Sequence, residues 1–107
     1  IVPDQVWKDG STYSPGVITL MYKLRFPSLK EGLISDLIAK NDIFFAKEDV
    51  ERLESKTFDI LIIREDDGFK EVFAGKGKGV IYVSYFGLED MDTILKSVEE
   101  TIVLIAE

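Results

Sequence analysis

The chain has 107 residues, 46% of them apolar, and 20 acidic side chains against 13 basic ones, for a formal charge of −7. That is enough for one domain with its own core, and it lacks the domain-wide basic footprint that marks nucleic-acid binding. It has no Cys and no His, which excludes disulfides, cysteine nucleophiles, Ser-His triads and Cys/His zinc sites.

Residues 1–16 read as an N-terminal arm rich in turn formers: Pro3, Asp9-Gly10, Ser14 and Pro15-Gly16. Asp9-Gly10 between Val6-Trp7 and Thr12-Tyr13 is compatible with a small hairpin, and equally with an arm docked through Trp7. The opening Ile1-Val2-Pro3-Asp4 has neither a basic n-region nor a long apolar h-region, so no signal peptide is expected. No apolar run reaches the roughly 18 residues of a membrane span. The expected location is cytoplasmic.

The α+β core is expected over 17–106. Val17 to Phe26 alternates as a strand, with Ile18, Leu20, Tyr22, Leu24 and Phe26 on one face, and Pro27 ends it. Ser28 to Lys40 reads as a helix opened by a Ser28/Glu31 capping box. Its stripe of Leu29, Leu33, Ile34, Leu37 and Ile38 is to be buried. Asn41-Asp42 breaks the pattern, and Ile43-Phe44-Phe45 is an apolar insert of undecided type. Lys47 to Ser55 then looks helical, with Ala46, Val50 and Leu53 on a shared face.

Phe58 to Glu65 is a strand whose Ile60-Leu61-Ile62-Ile63 run indicates burial on both faces or a central position. Asp66-Asp67-Gly68 marks a hairpin turn, Phe69 to Ala74 a return strand, Gly75-Lys76-Gly77-Lys78-Gly79 a second turn, and Val80 to Phe86 a third strand. Leu88 to Ala106 is the clearest helix, with Glu89, Asp90 and Asp92 at its positive end. Leu95 and Val98 are expected to pack against Ile60 or Ile62 and the Leu33/Leu37 face. The fold class is therefore two-layer α+β: an antiparallel four-stranded sheet with two long helices on one face, in the order β-α-(α)-β-β-β-α. The other face is expected to be open, or covered by the N-terminal arm or by the segment from Ile43 to Leu53.

Few groups point to chemistry. Gly-rich backbone with Lys76 and Lys78 is capable of forming an anion nest, yet a P-loop requires a longer motif and a following helix. A flexible hairpin tip accounts for the same residues. Neither acidic group, Asp66-Asp67 or Glu89-Asp90-Asp92, has calcium-loop spacing. Asp59 is expected at a strand end, in water. No catalytic residue, metal or cofactor is expected. The 12 aromatics carry more information. Two helices on one face would leave apolar residues of three strands uncovered, a patch large enough to bind something. The candidate partner-binding residues are Phe69, Phe73 and Tyr82 on the sheet and Lys76 and Lys78 at the tip. One Asn, one Gln and ten each of Lys and Glu resemble a thermophile composition.

Over about residues 17–106 the layout resembles one repeat of the TATA-box-binding-protein fold, although other split β-α-β arrangements share the order of elements. The local likeness lies in Phe58-Asp59-Ile60-Leu61-Ile62-Ile63-Arg64-Glu65, in Phe73 to Val80 and in the last helix. The resemblance implies a concave sheet face, with Phe73 near a wedge position and Lys78 near the lysine after the turn. The family has two repeats and a basic face; this chain has room for one repeat and is acidic, so DNA binding is not carried over. The expected function is a small non-catalytic binding or assembly domain, using the open sheet face for a homo-oligomer or a protein partner. The alternative is nucleic-acid binding through the sheet, with Lys23, Arg25, Lys76 and Lys78 on the backbone.

Overall fold

The computed structural model describes residues 5–6, 12–13, 16–40, 50–66, 69–87 and 89–106. Two short strands, β1 (Gln5–Val6) and β2 (Thr12–Tyr13), pair antiparallel as a sheet of their own. The main sheet has β3 (Gly16–Lys23), β4 (Glu51–Arg52), β5 (Ile60–Asp66), β6 (Phe69–Lys76) and β7 (Gly79–Phe86), with helices α1 (Lys30–Lys40) and α2 (Met91–Ile102). Its strand order is β3-β7-β6-β5-β4, and every pairing is antiparallel. The α+β class is as expected, but the sheet has five strands rather than four.

The fifth strand corrects the helix expected over Lys47 to Ser55. Residues 47–49 lie outside the described residues, but Glu51 and Arg52 pair with Ile63 and Ile62, and Leu53 N–H donates to the Leu61 carbonyl at 2.8 Å. Val50 packs into one core cluster and Leu53 into the other. These apolar residues alternate across a sheet rather than share a helix face.

The helices also lie on opposite faces, not one. Ile34, Leu37 and Ile38 of α1 pack with Ile60, Ile62, Phe73, Val80 and Tyr82. Ile94, Val98 and Ile102 of α2 pack with Leu61, Val72, Ala74, Ile81, Val83 and Tyr85. Leu95 and Val98 therefore meet Leu61 and its neighbours, not Ile60, Ile62 or the Leu33/Leu37 face. The physical reason is the period of two in a strand. Both residue parities of β5, β6 and β7 are apolar, so a single layer of helices would leave one complete set in water. Enclosing both removes the penalty on either side, at about 25 cal/mol per Å² of apolar surface.

Local signals act unevenly. Asp90, expected inside the first turns of a helix beginning at Leu88, is instead the N-cap of α2, which begins at Met91, and it accepts from Thr93 N–H at 2.9 Å. The Ser28/Glu31 capping box does not form. Pro27–Leu29 is a 3-10 turn without a side-chain cap, and Glu31 instead meets Arg52 of β4 at 3.1 Å. No described helix is long and apolar enough to cross a membrane.

Candidate functional site: the β3 edge and its groove

The two edges of the sheet are built differently. On one side β4 is two residues long, and both Glu51 and Arg52 are exposed and charged. Short charged edges resist pairing with other chains. On the other side β3 runs eight residues in unbroken register with β7. Among the described residues no strand pairs with its outer edge. Its apolar side chains stand in water: Val17 is 62% exposed, Ile18 61%, Leu20 42% and Met21 55%.

The backbone direction along this edge follows from one hydrogen bond. Leu24 N–H donates to the Lys78 carbonyl at 2.7 Å, continuing the register in which Lys23 faces Gly79. In an antiparallel ladder, residues that bond to the neighbouring strand alternate with residues that point away from it. Leu24, Tyr22, Leu20 and Ile18 therefore face β7. Val17, Thr19, Met21 and Lys23 present their N–H and C=O outward. The same four residues direct their side chains to the α2 side of the sheet, because Val17, Thr19 and Met21 stand beside Tyr85, Val83 and Ile81.

On that side α2 covers β6 and β7 but stops short of β3. The space between is a groove of about 680 Å³, floored by Ile81, Val83 and Tyr85. Thr93, Ser97 and Thr101 of α2 form one wall, and Val17 and Thr19 the other. Glu89 closes one end, held by its N–H donating to the Tyr85 hydroxyl oxygen at 2.9 Å.

The residues singled out from sequence are scattered. Phe73 and Tyr82 are buried beneath α1, at 0% and 4% exposure, with their rings 5.0 Å apart. The open central face expected of them is closed by that helix. Phe69 lies half-buried at the far end of β6 with Phe86, centroid to centroid 4.5 Å. Lys76 and the exposed Lys78 stand at the opposite end of the hairpin, roughly 24 Å away along an extended strand. Lys23 faces Gly79 there, so Lys23, Arg25, Lys76 and Lys78 share one end of the molecule.

At the tip, the backbone groups that an anion nest would use are engaged within the fold. Gly77 N–H donates to Asp59 Oδ2 at 2.8 Å, and Lys78 N–H donates to the Ala106 carbonyl at 2.9 Å. Gly77 has φ +56°, and a Cβ there would lie 2.1 Å from the Ala106 oxygen. Glycine is therefore required by both conformation and space. Lys30, buried under the tip, donates to Asp59 at 2.9 Å and to the Gly77 carbonyl at 2.6 Å. This ammonium, followed by the Gly77 N–H, holds the Asp59 carboxyl below its ordinary value.

One network had no signal in the sequence. Arg64 and Glu71, partners across β5 and β6, form a buried ion pair at 2.7 Å. The Tyr82 hydroxyl donates to Glu71 Oε2, and the Arg64 guanidinium lies 5.4 Å from the Phe73 ring centre. Burial, then the neighbouring Glu71 carboxylate, raises the Tyr82 hydroxyl well above its usual range. No group of three or more His, Cys, Asp or Glu among the described residues is placed to hold a metal.

Comparison with known proteins gives no match: no family model, no curated protein and no solved structure matches the chain.

Proposed function

We propose that this chain is a small non-catalytic binding and assembly domain that takes up an extended segment of protein along the outer edge of β3. The observation that carries this reading is the outward-facing backbone of Val17, Thr19, Met21 and Lys23, flanked on both faces by exposed apolar side chains. A strand laid on such an edge gains main-chain hydrogen bonds along its length, and its alternate side chains find neighbours on either face. The opposite edge, short and charged, supports the reading by contrast. At the tip, the Gly77 and Lys78 amides are taken up by Asp59 and the Ala106 carbonyl, which does not favour an anion site beside the lysines.

The test is Thr19→Pro. Thr19 donates outward, so proline there removes no bond to β7, but it deletes a donor and places a ring in the path of an incoming strand. A labelled octapeptide of alternating Val and Thr should bind the intact chain in fluorescence anisotropy. The same titration should show at least tenfold weaker binding to Thr19→Pro, with the circular dichroism of the fold retained. Equal binding by both chains would contradict the reading.

A further inference from the structure

We infer that the strand taken up by β3 is β3 of a second copy of this chain, related by a two-fold axis through Leu20, so that two five-stranded sheets join into one. This rests on the edge-binding reading above and adds the partner and its register.

Parity limits the registers. Only Val17, Thr19, Met21 and Lys23 point outward, so a self-paired β3 must match odd residues with odd residues. For a strand spanning Gly16–Lys23, the two-fold axes with near-complete overlap pass through Thr19 or through Leu20. The Thr19 axis sets Lys23 against residue 15, a proline, which has no N–H to give. The Leu20 axis matches Val17 with Lys23 and Thr19 with Met21, and each of these carries a donor and an acceptor.

Side chains agree with the second choice. A two-fold perpendicular to the sheet keeps each face on its own side. On the α1 side Leu20 meets its own copy across the axis, and Ile18 meets Tyr22; Ile18 and Leu20 are otherwise exposed. On the α2 side the Lys23 of each copy arrives beside Val17 of the other, at the end of the groove that Glu89 closes. That gives an opposite-charge pair at each end of the joint. Two chains of charge −7 repel one another, and residues 16–22 carry no charge. The uncharged strand with a lysine at its end is where that repulsion is least.

The chain has no native Cys, so single cysteines report the register directly. Across the proposed axis, Leu20 and its copy form a non-hydrogen-bonded pair with Cα atoms about 4.5 Å apart, within disulfide range. Met21 and its copy would be about 8 Å apart, outside it. Under mild oxidation, Leu20→Cys should form a disulfide-linked dimer at least tenfold faster than Thr19→Cys or Met21→Cys. Lys23→Glu should weaken sedimentation-measured dimerisation of the otherwise intact chain at least fivefold, and Lys23→Glu with Glu89→Lys should restore it. Fastest cross-linking at Thr19→Cys, or no rescue by the double charge swap, would overturn the register. A Leu20→Cys chain that stays monomeric would overturn the second copy as partner, and the octapeptide titration then separates the two failures. Peptide bound at the edge leaves the edge reading standing, and peptide unbound removes both.

Discussion

Asp59 shows how one side chain ties distant parts of the fold together. Its carboxylate accepts from Lys30 and from Gly77 N–H, joining the start of α1 to the β6–β7 tip. In the sequence it reads as a solvated strand end, and its side chain is indeed 56% exposed. Its partner Lys30 is the surprise, since a lysine beside a capping motif reads as a surface residue yet is buried. Because the folded carboxyl lies below 3.8, the unfolded chain binds this proton more readily. The contribution to stability is therefore complete above pH 3.8 and fades as pH falls through the lowered folded value. Urea unfolding between roughly pH 6 and pH 2 should show the intact chain more stable than Asp59→Asn at the upper end, with the gap closing toward the acid end. A constant gap across the series would show that the ion pair does not act through ionisation.

Elements were legible where one force dominated. The strands expected over 58–65, 69–74 and 80–86 and the helices expected over 28–40 and 88–106 correspond to β5, β6, β7, α1 and α2, with ends that differ by up to four residues. Two signals were ambiguous. The spacing of Val50 and Leu53 fits a helix face, but these residues belong to opposite faces of β4 and its flanks, and only the pairing with β5 distinguishes the two. The all-apolar strands carried the three-layer arrangement, since Ile60 and Ile62 face α1 while Leu61 and Ile63 face α2. Read as an uncovered face, the same pattern points to Phe73 and Tyr82, which α1 covers. The Arg64–Glu71–Tyr82 network was illegible because cross-strand register creates it. Glu71→Ala removes the carboxylate that pairs with buried Arg64 at 2.7 Å and should cost about 3–5 kcal/mol in denaturant unfolding. Arg64→Met with Glu71→Leu should recover at least half of that loss, because apolar side chains then replace both charges of the pair. A double variant as unstable as the single one would show that Arg64 and Glu71 are not coupled in this way.

At the scale of the molecule, α1 and α2 cover opposite faces of β5, β6 and β7 and the β4 edge is short and charged, which leaves β3, among the described residues, as the unpaired boundary of the sheet. In sequence β3 was recognisable as a strand, but not as an edge. That property comes from the return of β7 to one side of it and the sending of β4 and β5 to the far side. A second copy that completes this boundary would be recorded residue by residue by amide hydrogen exchange along β3. Ile18, Leu20 and Tyr22 donate to β7 and should be protected at every protein concentration. Val17, Thr19, Met21 and Lys23 should exchange quickly in dilute solution and become protected as the concentration rises from micromolar to millimolar. Fast exchange at these four outward-facing residues at all concentrations would show that no second copy pairs with β3.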